Sequence, residues 1–310
     1  MNKVKIKKEQ KENPINKQKE KIESPWTIAF KRLKKNKLAM AGLFILLTLI
    51  IIVVFGPMFY PYDHLTVNYS LINQPPSAQH ILGTDNVGRD VLARLMYGGR
   101  YSLSIGLVAV AISVTIGSTL GVVAGYYGGF IDSCIMRVVD VFMCFPFLPL
   151  LIMVSAMMQE AKIPPEYRIY VVMIVIGALS WTSTCRMVRA EVLSLREQEF
   201  MQAAEALGIS DFRKMFVHLL PNTFATIIVS ATLGIGSAIL TESSLSFLGL
   251  GVTPPTPTWG NLIQVANDYY TMSNRIWLWI PPGVCIFLTV MAINIFGDGL
   301  RDALDPKLKV

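Results

Sequence analysis

Residues 38–62, LAMAGLFILLTLIIIVVFGPMFYPY, carry no charged side chain. A helix needs about 20 mostly apolar residues to cross the hydrocarbon core of a bilayer, so this stretch is long enough to span one. The basic region before it and the apolar run itself are both too long for a signal peptide, and no small-residue cleavage site follows Phe59. We therefore expect residues 38–62 to remain as the first transmembrane helix.

Charge-free runs recur along the chain and predict further spans. They cover residues 101–131, 141–159, 169–185, 219–241 and 276–297. The span at 141–159 should start near Cys134, with Arg137 and Asp140 in its first turns. Residues 243–267 are also uncharged, but glycines and prolines interrupt them, so we predict a loop there. The expected fold class is an all-α integral membrane protein with six transmembrane helices.

The composition agrees with this class. Of 310 residues, 53% are hydrophobic and 16% are charged, against roughly 25% charged in an ordinary soluble domain. One soluble core of this size cannot bury so much apolar surface, and the same numbers exclude disordered, collagen-like and disulfide-rich chains. The cysteines lie in apolar stretches at spacings that indicate neither a disulfide nor a metal site.

The basic residues are placed unevenly and predict the orientation. Residues 1–37 hold 13 Lys and Arg and four Glu, whereas the net charge of the whole chain is +7. With a cytoplasmic N-terminus, 22 basic residues fall inside and six outside. Because Lys and Arg concentrate on the cytoplasmic side of membrane proteins, we expect both termini there. This basicity indicates attraction to anionic lipid rather than nucleic-acid binding.

A short helix is predicted just before the first span. Ser24 can cap it, with Pro25 at its first position, after a disordered tail over residues 1–23. Trp26, Phe30 and Leu33 then share one face. This pattern is typical of an interfacial helix on the cytoplasmic leaflet, and a plain basic flank is the alternative.

Small residues recur at a spacing of four in the second span. They are Ala109, Ser113, Gly117, Gly121 and Gly125. Such a row lets another helix approach closely. It fits a subunit or gate interface, but from the row alone we predict packing within the chain.

Sequence motifs of the common enzyme classes are absent. The chain has no Gly-Lys dipeptide for a Walker A loop and no Gly-x-Ser-x-Gly, and its three histidines lack the spacing of metal ligands. We therefore expect no catalytic residue and no metal site in this chain.

The loop between the fourth and fifth predicted spans is the most informative stretch. Good helix formers over residues 191–207 predict a helix that Gly208 ends. A second amphipathic segment, residues 212–220, leads into Pro221 at the start of the next span. A helix–turn–helix that projects from the membrane has the shape of a docking surface. The alternative is a connecting loop that binds nothing.

This loop resembles the EAA signature of the membrane subunits of bacterial ABC importers. The signature is Glu-Ala-Ala, three residues, Gly, nine residues and Ile-x-Leu-Pro, and it is matched here by Ala203, Ala204, Gly208, Leu220 and Pro221. Gln202 replaces the Glu, and His218 replaces the Ile. The change at Gln202 removes a charge at the expected ATPase contact but keeps a hydrogen-bonding group.

Other motifs are similar to the "C" subunit of the dipeptide/oligopeptide/nickel permease group. They are HILGTDNVGRDV (residues 80–91) with Arg94 and Arg100, ESSLSFLGLG (242–251), PPTPTWG (254–260) and GDGLRDALDP (297–306). The resemblance covers the chain from about Pro25 to its end.

The resemblance implies a type I ABC permease, a pore subunit of an importer in the bacterial cytoplasmic membrane. Its implied partners are a second homologous permease, two ABC ATPase subunits, an extracytoplasmic substrate-binding protein and the surrounding lipid. ATP and Mg bind the ATPases, so this chain is expected to be no enzyme and to bind no cofactor. Peptide is the expected cargo, oligopeptide or dipeptide, with nickel or another small solute as the alternative.

The chain is then expected to divide into a cytoplasmic basic tail with an interfacial helix (1–37), a first transmembrane helix (38–62), an external loop (63–98), a permease transmembrane domain (99–300) with its coupling loop (186–220), and a cytoplasmic C-terminus (301–310).

Several residues are candidates for a functional role. The expected ATPase contact consists of Gln202, Ala203, Ala204, Glu205 and Gly208, with Arg213 on its rim. Asp85, Arg89, Asp90 and Arg94 form either a gate or docking site for the binding protein, or a cap held by local ion pairs.

Charged residues within the predicted spans are further candidates. Glu242 either lines the translocation path or is a helix-end residue in contact with water. Arg137 and Asp140 lie three apart on one helix, which favours a mutual pair.

A secondary transporter remains an alternative class, but it would need a binding site within its own fold, commonly built from inverted repeats. The sequence shows no convincing internal repeat. An intramembrane enzyme would need a converging catalytic set.

Overall fold

Helices form most of residues 25–305, the part of the chain that the computed structural model describes. A backbone in lipid must satisfy its own hydrogen bonds, and helices do so within one segment. The helices are α1 (Pro25–Lys35), α2 (Lys37–Phe59), α3 (Val91–Tyr127), α4 (Gly129–Cys144), α5 (Phe147–Glu160), α6 (Pro165–Leu195), α7 (Glu199–Ala206), α8 (Asp211–Arg213), α9 (Leu220–Asn222), α10 (Phe224–Phe247), α11 (Trp259–Ile263), α12 (Tyr269–Asn274) and α13 (Ile276–Leu304). Short 3-10 turns occupy Tyr69–Leu71 and Gln264–Asn267, and Lys214–Leu219 is a π-helix.

Five of these helices are long and apolar enough to cross a membrane: α2, α3, α6, α10 and α13. The pair α4 and α5 passes the same test and makes a sixth span when its two halves are taken together. The described part of the chain is thus the all-α membrane fold that the charge-free runs predict.

The third span is broken rather than continuous. Helix α4 ends at Cys144, α5 begins at Phe147, and the two meet at 76°. Phe145 has an extended backbone because the residue before a proline avoids the helical region, and Pro146 has no N–H to continue the helix. The span predicted from near Cys134 to residue 159 therefore consists of two helices that meet at a bend.

Helix α3 begins at Val91, ahead of the predicted start at residue 101. The Asp90 side chain caps it by accepting a hydrogen bond of 2.8 Å from the Ala93 amide. The predicted external loop, residues 63–98, therefore ends at Asp90, and Arg94 lies on the helix.

Helices also occupy much of residues 243–267, where we predicted a loop. Helix α10 continues to Phe247, and Gly249 follows it with a φ of 77°. Helix α11 then starts at Trp259, and the side chains of the preceding Thr258 and of Asn261 form a reciprocal capping box. Only the stretch between these two helices is the predicted loop.

The predicted helix over residues 191–207 is also two helices. Helix α6 ends at Leu195, and α7 starts again at Glu199. The Arg196 side chain donates to the carbonyl oxygens of Gly125 (3.2 Å) and Tyr126 (3.3 Å), so the turn is held against the end of α3.

The row of small residues on α3 packs against α6. A Cβ added at Gly117 would lie 2.7 Å from the Trp181 carbonyl oxygen, and one at Gly121 would lie 2.7 Å from that of Cys185. The two backbones touch, so α3 and α6 form one closely packed pair. The prediction of packing within the chain is confirmed.

Helix α1 lies against the end of α13. Ala29 and Leu33 are buried, Leu33 packs in one cluster with Ala303, and Arg32 Nη1 donates to the Asp305 carbonyl oxygen at 3.0 Å. Phe30 is exposed, so it does not share the buried face of Leu33. Residues 1–24, including the predicted cap Ser24, the Trp26 side chain and residues 306–310 lie outside the described part.

Candidate functional site

Helix α7 and the turn after it form an elbow, defined here as residues 199–213. Gly208 has a φ of 68°, the left-handed conformation that glycine adopts without strain. The Gly208 amide donates to the Glu205 carbonyl oxygen at 2.9 Å, and the Ile209 amide donates to that of Ala204 at 3.1 Å. This pattern ends α7 where the sequence predicts.

The outer face of the elbow holds most of the residues predicted to contact an ATPase. Gln202, Ala203, Glu205, Gly208 and Arg213 are exposed, whereas Ala204 is buried and faces the helix bundle. Sequence reasoning missed two apolar neighbours on the same elbow, Leu207 and Phe212, which are 79% and 69% exposed.

An apolar cluster attaches the elbow to the long helices. Met201 of α7 and Met215 and Leu219 of the π-helix pack with Val122 of α3, and Val188, Val192 and Ile227 complete the cluster. The elbow is thus attached to the closely packed pair α3 and α6 through buried apolar side chains of α7 and of the π-helix.

The opposite end of α3 supports a cap, defined here as residues 60–90. Arg89 Nε lies 2.8 Å from Asp85 Oδ2, and Arg94 Nε approaches the same oxygen at 3.6 Å. Arg94 is only 2% exposed. The structure therefore brings three of the four predicted residues into one ion-pair cluster.

Asp90, the fourth predicted residue, belongs to a neighbouring cluster. Its Oδ2 lies 2.8 Å from His80 Nδ1 and accepts a hydrogen bond of 3.0 Å from the Tyr60 hydroxyl. Burial, together with the Asp90 carboxylate, raises the pKa of Tyr60 well above its ordinary value. Tyr60 therefore stays a neutral donor. The geometry is that of a cap held by local ion pairs and hydrogen bonds.

A cavity of about 570 Å³ opens between α3, α6, α10 and the bend of α4 and α5. The residues that line it carry no ionisable side chain. Eight of them bear hydroxyl groups, namely Ser113, Ser180, Thr182, Ser183, Thr184, Ser230, Ser237 and Thr241. Phe142, Phe145 and Phe147 form the wall at the bend.

Glu242 does not line this cavity. It is fully buried, so the alternative of a helix-end residue in contact with water is wrong. Its Oε1 accepts hydrogen bonds from the hydroxyls of Ser246 (2.7 Å) and Thr258 (2.9 Å). Glu242 therefore joins α10 to the start of α11.

Trp259 continues this connection. It belongs to the PPTPTWG motif, and no role was predicted for it from the sequence. Its amide donates to Ser102 Oγ at 3.0 Å, and its Nε1 donates to the Leu95 carbonyl oxygen at 2.9 Å. Both acceptors lie on α3.

The charges of α4 pair with α6 rather than with each other. Asp140 binds Arg186, and Asp132 binds Arg189, with 2.6 Å between Arg189 Nη2 and Asp132 Oδ2. The predicted mutual pair of Arg137 and Asp140 is therefore wrong, because Asp140 faces α6, where an arginine meets it. Within residues 25–305, no group of three His, Cys, Asp or Glu side chains converges as a metal site.

The chain matches two family models. Residues 117–310 match the binding-protein-dependent transport system inner membrane component, and residues 24–76 match the N-terminal transmembrane domain of oligopeptide transport permease C. The first match covers more than half of the chain.

Relatives of similar length align along almost the whole sequence. A dipeptide transport system permease protein of Alkalihalophilus pseudofirmus is 43% identical, over 92% of this chain and 91% of its own. A dipeptide transport system permease protein of Bacillus subtilis is 44% identical, over 91% of this chain and 85% of its own. An oligopeptide transport system permease protein of Bacillus subtilis is 37% identical, over 92% and 91%. This chain belongs to the family of binding-protein-dependent transport system inner membrane components, the membrane permeases of ABC importers.

Proposed function

We propose that this chain is one of two pore subunits of an ATP-driven importer that carries peptides across the bacterial cytoplasmic membrane. The names of its relatives, which include dipeptide, oligopeptide and glutathione permeases, support peptide as the cargo. The observation that carries the proposal is the elbow, which presents Leu207 and Phe212 to solvent on a segment with the EAA spacing.

The elbow is the docking surface for the ATPases in this proposal. Exposed apolar side chains rimmed by polar ones are typical of a protein interface. ATP and Mg bind those separate ATPases, where hydrolysis takes place, and this chain converts their closure into movement of its helices. The Gln202 side chain meets the ATPase as a hydrogen-bonding group without charge.

The cap lies at the other end of α3 and faces the binding protein. Both termini are then cytoplasmic, together with the elbow, as the placement of Lys and Arg indicates. Cap residues Asp85 and Arg89 contribute to docking or to the outer gate. A second homologous permease completes the pore, and two ATPases complete the importer.

Transport proceeds by alternating access. ATP-driven closure of the ATPases moves the elbow, and the closely packed helices α3 and α6 follow it as a unit, opening the pore to one side at a time. The two states must lie close in free energy, so that ATP and the loaded binding protein can shift the balance.

The hydroxyl-lined cavity is this subunit's share of the translocation path. Hydroxyl groups can exchange hydrogen bonds with the amides of a passing peptide, and the phenylalanines at the bend suit apolar side chains. A nickel ion would favour imidazole ligands, which these walls do not offer. The cavity therefore supports peptide over a bare metal ion as the cargo.

Purification of the tagged chain from its native cells in mild detergent, followed by reconstitution into vesicles, tests the proposal. We expect a second six-span permease and two Walker A ATPases to accompany it, and ATP to drive uptake of short peptides once the loaded binding protein is added. Uptake driven by an ion gradient, from a preparation that contains this chain alone, would contradict the proposal and favour a secondary transporter.

A further inference from the structure

Helix α3 connects the two ends of the molecule without a break. It extends over 37 residues from the cap to the elbow. The elbow is covalently linked to α6 and, through the π-helix and α9, to α10, so its movement reaches α3 only through contacts between side chains. The contacts between the elbow and the last turn of α3 therefore decide how firmly the two move together.

The last turn of α3 makes a polar contact with the elbow. The Tyr126 hydroxyl donates a hydrogen bond of 2.6 Å to Asp211 Oδ1. Lys214 Nζ lies 3.4 Å from the same oxygen and 5.9 Å from the centre of the Tyr126 ring. One carboxylate oxygen is thus shared by a phenol from α3 and an ammonium group from the segment after the elbow.

The electrostatics of this contact reinforce it. The hydrogen bond from Tyr126, with Lys214 beside it, lowers the pKa of the Asp211 carboxyl. The Tyr126 side chain and the Asp211 carboxylate in turn raise the pKa of Lys214. Both groups therefore keep their charges throughout the physiological pH range, and a hydrogen bond to a charged acceptor is stronger than a neutral one.

The apolar cluster beneath the elbow does not fix the orientation of the elbow. Contacts among Met201, Met215, Leu219 and the valines of α3 and α6 hold the elbow down, but apolar burial has no preferred direction. A hydrogen bond with a fixed donor and acceptor does have one. Together with the Arg196 hydrogen bonds to the last turn of α3, the polar contact therefore fixes the angle of the elbow, while the cluster keeps it in place.

The backbone beside the contact is unusual as well. Lys214 begins a π-helix that extends to Leu219, and single π turns occur frequently at functional sites. The wider turn places Lys214 over the Tyr126 ring and Met215 in the apolar cluster. One short segment thus serves both attachments.

We propose that Tyr126, Asp211 and Lys214 form a polar latch that locks the elbow to α3, so that ATPase movement is transmitted to the pore. This inference rests on the proposed function, because it assigns the latch to the coupling step of that importer. Tyr126 is a positioning residue that acts through Asp211.

We expect the chain to fold without the latch, which makes the latch testable. Asp211 is half exposed, so water can replace the phenol when the hydroxyl is removed. The apolar cluster and the Tyr126 ring remain in Tyr126→Phe. We therefore expect this variant to assemble with its partners as the unmodified chain does.

The experiment uses the whole importer in vesicles and measures ATP hydrolysis and import of a radiolabelled peptide in the same sample. We expect Tyr126→Phe to hydrolyse ATP normally but to import about threefold less peptide per ATP, the size of effect typical of one lost pairwise coupling. Tyr127→Phe is the matched control, since Tyr127 is the next residue and its ring packs against Tyr126 at 5.1 Å. It should keep the unmodified ratio.

A second pair of variants separates the hydroxyl from the charge. Asp211→Asn keeps an acceptor for Tyr126 and should lose less coupling than Asp211→Ala. Adding Tyr126→Phe to Asp211→Ala should lower the ratio no further, because the bond is already absent.

Three results would overturn the latch: an unmodified ratio in Tyr126→Phe, an equal loss in Tyr127→Phe, or additive losses in the double variant. The failure of the proposed function is visible separately. If the unmodified complex shows no ATP-driven peptide import, the proposed function is wrong and the latch falls with it.

Discussion

The cap and the elbow lie at opposite ends of α3 and are built in opposite ways. In the cap, Asp85 lies between Arg89 and the buried Arg94, so its charge is balanced within the chain. In the elbow, the large apolar side chains Leu207 and Phe212 point into solvent. The buried charges of the cap are paired within the chain, whereas the elbow presents its exposed apolar side chains on a segment with the EAA spacing.

The two regions should therefore respond differently to substitution, in stability and in transport. Substitutions in the cap should first destabilise the chain, because a buried charge loses its partner. Substitutions of the exposed side chains on the elbow should leave stability almost unchanged and impair transport, because the surface gains its contacts only in the complex. The expected loss of stability therefore falls from the cap, through the α3–α6 contact, to the elbow.

Asp85→Ala should produce the largest loss of stability. It removes the acceptor for Arg89 and leaves Arg94 buried without its carboxylate, which costs about 3 kcal/mol in the free energy of unfolding. Asp63→Ala is the matched control in the same cap, since Asp63 is 52% exposed and holds local hydrogen bonds only. Thermal unfolding in detergent measures both. Equal midpoints would mean that the cap is not held by this cluster.

Gly121→Ala should come next. The new Cβ would lie 2.7 Å from the Cys185 carbonyl oxygen and 2.8 Å from Val188 Cβ, so α3 and α6 would have to separate. Overpacking of this kind costs about 2 kcal/mol. Gly283→Ala, whose Cβ would meet only Ile263 Cδ1 at 3.4 Å, should unfold close to the unmodified temperature. If Gly121→Ala matches Gly283→Ala, the two helices do not form one close pair.

Gly208→Leu should cost less stability but stop import. A Cβ at Gly208 meets nothing within 4 Å, so the only cost within the chain is the left-handed backbone, about 1 to 2 kcal/mol. Gly129→Leu carries the same backbone strain, with a φ of 52° and equally open space, but Gly129 begins α4 and is not part of the elbow. Uptake assays on assembled importers should show loss in the first variant and retention in the second. Normal import by Gly208→Leu would remove the elbow from the docking surface.

Phe212→Ser should have the smallest effect on stability, within about 0.5 kcal/mol, because an exposed side chain contributes little to the folded state. Its cost should appear in the complex, as a faster loss of the ATPases during detergent washes. Phe130→Ser is the control, as Phe130 is 83% exposed in the first turn of α4. Equal retention of ATPase in both variants would show that apolar exposure on the elbow does not serve docking.

The sequence was a good guide to the spans and a poorer one to their ends. Charge-free runs identify the membrane helices, but Arg94 and Arg100 interrupt the run that begins α3. Arg100 Nε donates to the Val53 carbonyl oxygen of α2 at 3.0 Å, so a charged residue lies on a long membrane helix because a neighbour satisfies it. Such partners come from distant parts of the chain, and no local pattern predicts them.

The candidate site likewise has some features that local sequence predicts and others that it does not. The Gly208 turn and the exposed face of α7 follow from local sequence, since a glycine after good helix formers ends a helix. The pairing of Asp140 with Arg186, the burial of Glu242 and the contact of Tyr126 with Asp211 depend on how separate helices pack. Sequence spacing predicts which face of a helix a residue occupies, but not which residue it contacts on another helix.

The proposed function depends above all on the docking of the elbow on an ATPase. The most direct test places a photo-crosslinking amino acid at Leu207 in the importer in native membranes, with Tyr69 of the cap as the control position, since both side chains are well exposed. If the elbow docks on an ATPase, position 207 should form an adduct with a Walker A ATPase, and position 69 should form none. No ATPase adduct from position 207, in an importer that still transports peptide, would contradict this docking.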